Sequence, residues 1–330
     1  MNYGRSGSRD IAKNAKFMAV GMKGKKEAPV TKCGLLLHPH QETTVNALET
    51  LRRVAESYGI EIVELDRSDD SFENCSGCQM IISVGGDGTL LAAVRFAYPA
   101  EIPVWGINVG QLGYLTTSTV DEVESHIGRL AKGDYWIESR SMIEGIVTCA
   151  DGKDVELVAL NDIVVHRHVP GGGLMALDCE LDGRFLATYE ADGLIISTPT
   201  GSTGYNLSAG GSILSPTLSA FEITPVCAHS FSARSLIIDD SSVLVVRPRL
   251  KMEGEVAYAT ADGQEVAELA NCPVRTKPVK DDTCRVTLRR AERPIGLVRF
   301  EEVVFFGILR DKLGWADAAP PNRMKLDNSG

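Results

Sequence analysis

The segment that most restricts this fold is Met80-Ile81-Ile82-Ser83-Val84-Gly85-Gly86-Asp87-Gly88-Thr89-Leu90-Leu91. Its opening is apolar apart from Ser83, the pattern of a buried strand. Gly85 and Gly86 are then predicted to free the backbone from its usual φ limits. Asp87, Gly88 and Thr89 follow, ahead of a helical run from Leu90 to Tyr98. A strand that stops at a tight turn and enters a helix aims backbone N–H groups and the positive helix end at one point, which suits a phosphate. A carboxylate there only repels phosphate, so Asp87 needs a different role. It could hold a metal ion, or take a proton from an attacking hydroxyl. A ligand-free turn uses the same residue types. The glycine spacing is neither a dinucleotide fingerprint nor a P-loop.

Around this segment, strands and helices alternate. Gly34 to Leu37 reads as a strand. Thr43 or Thr44 is the expected cap of a helix with Val45, Leu48, Leu51, Val54, Ala55 and Tyr58 on one stripe, closed by Gly59. Ile60 to Leu65 and Pro103 to Ile107 read as further strands, the latter leading into the loop Asn108 to Leu115. Thr119 and Glu122 form a capping-box pattern before the stripe Val120, Val123, Ile127 and Leu130, and Gly133 closes that helix. Such alternation implies a parallel sheet covered by helices, whose ligands sit beyond the carboxyl ends of the strands. Both glycine loops, 85–89 and 108–113, fall at such ends.

Beyond about residue 135 the texture changes. Short runs such as Ile143 to Thr148, Ile163 to His166, Leu174 to Leu181, Leu194 to Ser197 and Val243 to Arg247 alternate with turn signals, among them the hairpin pair Asp182-Gly183. This is the pattern of an all-β, sandwich-like unit. The expected fold class is therefore α/β: a Rossmann-like parallel-sheet domain at 31–135, then a β-rich domain at 136–295. A tail at 296–330 is expected to pack back on the first domain.

A second unusual segment runs from Asp192 to Gly211. It places hydroxyls, glycines and Tyr205 directly after a strand, where hydroxyls and open N–H groups suit sugar and phosphate oxygens and a tyrosine ring can lie on a base. A Ser/Gly-rich surface loop is the plainer alternative. Asn161-Asp162 offers donors and acceptors for ribose hydroxyls or an adenine amino group, and a turn explains the pair equally well. His166 and His168 alternate on a strand and read as structural or exposed.

Composition limits the partners. The formal net charge is −10 over 330 residues, which argues against a general nucleic-acid binder. No apolar run approaches the ~18 residues that span a bilayer, so no membrane partner is expected. Residues 1–30 carry seven Lys and Arg against two acids, and read as a flexible basic tail or an organelle-targeting segment. Of the eight cysteines only Cys75 and Cys78 are close, with no second pair at zinc spacing. Free thiols in a reducing cytoplasm are the expectation.

Taken together, Gly85 to Thr89 with Leu90-Leu91-Ala92-Ala93, the loop Asn108 to Leu115, Asn161-Asp162, the block Asp192 to Gly211, Asp262-Gly263-Gln264 and the tail Phe306 to Trp315 resemble the NAD kinase family, in that order and over roughly residues 32–316. The resemblance implies transfer of a phosphoryl group to the 2′-hydroxyl of the adenosine ribose of NAD, giving NADP. It implies ATP or polyphosphate as donor and Mg2+ or another divalent cation. Carried over by position, Asp87 is the general base, and Gly86, Gly88 and Thr89 line the donor phosphates. Asn161 and Asp162 grip NAD, and Asp192, Thr200, Thr203, Gly204, Tyr205 and Ser208 complete its pocket. No metal-ligating residue is assigned. A homodimer or homotetramer is implied.

The chain departs from the family pattern at Ala191, where glycine is common, at Gly204, where alanine is common, at Ser212, where proline is frequent, and across Thr224 to His229. Lipid and sugar-phosphate kinases share the first glycine motif but account for neither Asn161-Asp162 nor the block at 192–211. A non-catalytic NAD sensor would have no use for Asp87.

Overall fold

The computed structural model describes residues 27–38, 42–66, 75–110, 113–148, 154–167, 175–230, 232–250, 256–269, 284–301 and 305–314. Most of the basic N-terminal segment, His168, and the tail beyond residue 314 lie outside these.

The first part of the chain supplies β1 (Lys32–Leu37), α1 (Glu42–Ser57), β2 (Glu61–Glu64), β3 (Met80–Gly85), α2 (Asp87–Ala97), β4 (Val104–Asn108), β5 (Ser118–Thr119), α3 (Val123–Leu130) and β6 (Trp136–Arg140). The β-rich part supplies β7 (Ile143–Thr148), β8 (Asp154–Ala159), β9 (Asp162–Arg167), β10 (Met175–Leu181), β11 (Arg184–Ala191), β12 (Gly193–Ser197), α4 (Tyr205–Ser208), β13 (Ala220–Val226), β14 (Leu236–Asp239), β15 (Leu244–Arg249), β16 (Ala257–Ala261), β17 (Glu265–Leu269) and β18 (Arg285–Arg290). The chain then returns with β19 (Ile295–Arg299) and α5 (Phe305–Lys312).

The first sheet has the order β2-β1-β3-β4-β19-β6, with β5 beside β4. Its pairings are parallel except β19 with β6, which run antiparallel. Two of its strands, β6 and β19, come from outside residues 31–135. On one face Ile82 and Val84 pack with Leu51 and Val54 of α1 and Ile127 and Leu130 of α3. On the other, Ile81 packs with Leu90, Ala93 and Val94 of α2. Trp105, fully buried, ties the layers together: its indole N–H donates to Ser118 Oγ at 2.8 Å, and its ring meets His126 and Phe300 edge-on.

Two antiparallel sheets, β11-β10-β15-β18-β7-β8 and β14-β13-β12-β9-β16-β17, close over a common core that includes Leu177, Val246 and Leu288 of one and Ile163, Ile196 and Ile223 of the other. Alternating burial along β7, buried at every second residue, is what a sandwich requires. Asp182 and Gly183 form the hairpin turn between β10 and β11, both at positive φ (51° and 75°).

Local chemistry accounts for most of these elements, with three corrections. Gly59, at φ 69°, follows α1, and Glu122 accepts from the Thr119 N–H at 2.8 Å before α3. Helix α1, however, begins at Glu42, which puts Thr43 and Thr44 inside it and not at its cap. Helix α2 begins at Asp87 rather than Leu90, with Gly86 as N-cap. Gly86 has φ −100°, and Gly85 is not at positive φ either, so neither is there for backbone freedom. A Cβ on Gly85 would lie 2.2 Å from Thr89 Oγ1, whereas a Cβ on Gly86 or Gly88 would meet nothing within 4 Å. Gly85 is demanded by packing. Gly86 and Gly88 leave the helix end bare.

Candidate active site

The site starts at the carboxyl ends of β3 and β4. Because Asp87 opens α2, its carboxylate projects from the first helical turn beside N–H groups that have no intrahelical acceptor. The second glycine loop wraps this carboxylate. Oδ2 accepts from Tyr114 N at 2.8 Å, and Oδ1 accepts from Leu115 N (3.2 Å), Thr116 N (3.0 Å) and Thr116 Oγ1 (3.0 Å). Oδ1 is thereby saturated. Oδ2 has a single donor among the described residues and is the oxygen able to take a further hydrogen bond. The loop is itself braced by Asn108, whose Nδ2 donates to Thr116 Oγ1 at 2.7 Å and whose Oδ1 accepts from Gly110 N at 2.7 Å. Thr116, inconspicuous in the sequence, is a principal partner of Asp87. The Thr89 hydroxyl is buried with no hydrogen-bond partner among the described residues.

A second feature lies in the β-rich half: a cleft of about 610 Å³ whose lining includes Asn161, Asp162, His166, Arg167, Asp192 and Tyr205. That size suits a nucleotide-sized ligand, for which pockets of roughly 300–1,000 Å³ are usual. Four of the residues selected from the sequence line it: Asn161, Asp162, Asp192 and Tyr205. Asn161 Oδ1 is buried with no partner among the described residues, an acceptor open to a ligand donor. Asp192 pairs with Arg167 at 3.3 Å. Tyr205 remains 49% exposed, which leaves ring surface for a stacked partner. His166, read as structural or exposed, is half-buried and lines the cleft, stacked near Tyr258.

The hydroxyl-rich turn packs behind this lining. Thr198 N donates to Asn161 O at 2.8 Å, Thr198 Oγ1 donates to Leu160 O at 2.6 Å, and Gly201 N donates to Thr198 Oγ1 at 3.1 Å. A Cβ on Gly201 would fall 2.1 Å from Asn161 O, so only glycine fits. Thr200 is buried, Thr203 and Gly204 are half-buried, and Ser208 is exposed; none of the four lines the cleft.

Asp262 organises the cleft floor. The turn Asp262-Gly263 has positive φ at both residues (51° and 65°) and joins β16 to β17. The Asp262 carboxylate accepts from Leu160 N (2.9 Å), Asn161 N (2.7 Å) and Asp162 N (3.2 Å). Burial, reinforced by the Asp262 charge, pushes the Asp162 carboxyl up to about 7. The next residue of the same turn, Gln264, donates Nε2 to Gly88 O at 3.2 Å. A single turn therefore borders the cleft and touches the residue after Asp87, so the two glycine-bearing features share one edge.

Among the described residues, no three His, Cys, Asp or Glu side chains cluster as metal ligands. Cys75 and Cys78 are buried free thiols, and burial raises both pKa values, as it raises Cys33 to about 12. No helix among the described residues is long and apolar enough to cross a membrane.

Known proteins resemble this chain over most of its length. Residues 22–135 match the ATP-NAD kinase N-terminal domain and residues 160–275 the ATP-NAD kinase C-terminal domain. An NAD kinase of Wolinella succinogenes is 35% identical over 298 residues, covering 88% of this chain and 97% of that protein. One from Gemmatimonas aurantiaca is 41% identical over 243 residues, covering 71% and 77%. In fold, the chain resembles yeast NADH kinase complexed with NADH (TM-score 0.74, 23% identity, 91% of each chain). It also resembles an Archaeoglobus fulgidus NAD kinase in complex with ATP (TM-score 0.65, 24% identity, 86% of this chain and 98% of that one). With its α/β sheet, its β-sandwich and a relative matched along nearly its whole length, the chain belongs to the NAD kinase family.

Proposed function

We propose that this NAD kinase uses Asp87 as the general base on the 2′-hydroxyl of the adenosine ribose, with the bare amino end of α2 as the donor-phosphate cradle. The observation that carries this reading is the contact of Gln264 with Gly88, which sets the cleft edge against the residue that follows Asp87. Oδ1 is occupied by the loop 114–116, so Oδ2 takes the proton as the hydroxyl oxygen bonds the terminal phosphorus, the bond from that phosphorus to its bridging oxygen breaks, and ADP leaves. Geometry requires Oδ2 within about 2.6–3.2 Å of that hydroxyl. Gly86 and Gly88 have no side chain to obstruct phosphate oxygens, and the Thr89 hydroxyl supplies a donor beside them. Asn161 and Asp162 hold the adenosine end, Tyr205 stacks on a ring, and Asp192, set by Arg167, closes the lining. Thr200, Thr203, Gly204 and Ser208 belong to the turn that backs and borders this pocket.

The Archaeoglobus relative is complexed with ATP and the yeast relative with NADH, which supports ATP as donor and an NAD-type acceptor here. A divalent cation enters as part of the substrate, MgATP. The bare helix end and one carboxylate suit magnesium held largely by phosphates and water, and its chemistry is to offset charge on the transferring phosphoryl group. We further assign the enzyme to the cytoplasm as a homodimer or homotetramer, consistent with its free thiols and family.

Incubation with NAD, ATP and magnesium tests the reading. NADP should form, and Asp87→Asn should cut turnover by on the order of 10²–10⁴ while NAD affinity holds. Near-normal turnover in that variant would remove Asp87 from the base role.

A further inference from the structure

Behind the site, a buried run of charged side chains joins the Asp87 loop to the hydroxyl-rich turn. The carbonyl of Leu115, whose N–H donates to Asp87, accepts from Arg299 Nη1 at 2.9 Å, and Thr117 Oγ1 accepts from the same nitrogen at 3.1 Å. Arg299 Nε donates to Glu138 Oε2 at 2.7 Å. The other oxygen of Glu138 accepts from Arg140 Nη2 at 2.7 Å, and Arg140 Nη1 donates to Thr200 Oγ1 at 3.3 Å. Glu138, Arg140 and Arg299 are 8%, 4% and 2% exposed. A continuous hydrogen-bonded line therefore runs Asp87–Leu115–Arg299–Glu138–Arg140–Thr200, and the three charged residues lie outside the cleft lining.

Such a line is an expensive way to fill space. Two guanidiniums share one buried carboxylate, with Asp87 a more distant countercharge for Arg299, and Arg140 Nε and Arg299 Nη2 have no hydrogen-bond partner among the described residues. Apolar replacements of buried ion clusters are often more stable than the cluster itself, so stability does not account for this one. A planar guanidinium fork does supply fixed reach and orientation, which an apolar contact does not. Burial alone would raise the Glu138 carboxyl, but Arg299 and Arg140 with their hydrogen bonds outweigh it and hold it below the usual range, so Glu138 stays ionised at neutral pH.

We propose that Glu138, Arg140 and Arg299 are positioning residues: a strut that holds the Asp87 loop in register with the Thr200 turn, so that base and acceptor hydroxyl meet. This rests on the reading of Asp87 as base and of the 198–208 turn as the backing of the NAD pocket. The strut touches neither substrate. Its loss should appear in turnover and not in affinity, because small misplacements of reacting groups are costly in rate.

The test is a kinetic double-mutant cycle in the full-length enzyme. Glu138→Gln should lower kcat roughly 10- to 100-fold, with KM for NAD and for ATP within about threefold. Arg140→Lys, which keeps the charge but loses the fork, should cost less. The double variant should be no slower than Glu138→Gln alone, since a strut parted at one joint loses nothing more at the next. Losses that multiply, or a rise in KM at unchanged kcat, overturn the proposal. If Glu138→Gln gives no folded protein by its melting transition, the cycle is run on Arg140→Lys with Thr200→Val, and the same rule applies: equal single and double losses support the strut, multiplied losses overturn it. An Asp87→Asn control separates the two readings. Retained turnover there defeats the base assignment, whereas the 138–140 coupling is scored on its own numbers.

Discussion

Gly113 lies against Asp87 so closely that a Cβ at Gly113 would be 1.9 Å from Asp87 Oδ1 and 2.4 Å from Thr116 Oγ1. The second glycine loop has therefore given up a side chain to reach the carboxylate of the first. Gly113→Ala must push the loop off Asp87 and break its N–H donation. We expect a loss of about 1–3 kcal/mol in stability, the range for an overpacked site, with a fall in turnover. Gly86→Ala is the counterpart: its Cβ meets nothing within 4 Å, so the melting temperature should hold while KM for ATP rises. Thermal melts and initial-rate kinetics on the two variants check the pair, and a Gly86→Ala enzyme with normal ATP affinity would mean that phosphates do not approach there.

Asp162 makes the cleft sensitive to pH. Its folded-state pKa of about 7 lies above the ordinary 3.8, so the folded chain binds the extra proton between those values. The stabilising contribution is complete below the ordinary value and is lost as pH rises through about 7. If ribose hydroxyls donate to Asp162, they need the carboxylate, and NAD affinity should rise with pH, by up to about tenfold per unit below 7, and level off above it. Asp162→Asn should flatten both trends. Calorimetric titrations and melts from about pH 5.5 to about 8.5 measure them together.

Tyr205 is about half exposed at the cleft. If it covers a ring of the dinucleotide, Tyr205→Ala should weaken NAD binding by about 1–3 kcal/mol, the range for a base on an aromatic side chain. Tyr205→Phe keeps the stacking face and should bind within a few-fold of wild type. Equal weakening by both variants would point to the hydroxyl and away from the ring.

The thiols divide by position. Cys33, Cys75, Cys78 and Cys179 are buried, and burial raises each pKa, while Cys227 is exposed. A thiol reagent under native conditions should label Cys227 before Cys33, Cys75, Cys78 and Cys179 and leave those four until the chain unfolds, as peptide mass mapping would show. Rapid native labelling of Cys75 or Cys78 would argue that the Cys-x-x-Cys pair opens to solvent.

Local features are readable in the sequence, and those that depend on distant partners are not. Asp87 and its glycines stand out because strand, turn and helix chemistry lie within a dozen consecutive residues. Backbone freedom, the reason the sequence suggests for those glycines, is not the one that operates: what matters at Gly85 is the Thr89 hydroxyl, and at Gly86 it is open space. The capping pattern at Thr119 and Glu122 and the hairpin at Asp182-Gly183 are visible for the same local reason. Thr116, Glu138, Arg140 and Arg299 are hidden, because each draws its meaning from partners that only tertiary packing supplies. A Glu-x-Arg on a short strand looks like surface charge until Arg299, 161 positions away from Glu138, is folded against it.

The strand Ile295–Arg299 enters the first sheet between β4 and β6, yet it follows every strand of the β-sandwich in the chain. On the ribosome, then, the first sheet stays short of an inner strand until the whole β-sandwich has been made. Arg299 arrives with that strand, so a nascent chain without it has the loop around Asp87 but lacks the anchor beneath it. Closure of the first sheet and anchoring of the Asp87 loop become a single event, built on pairing of high sequence separation, which is slow to form.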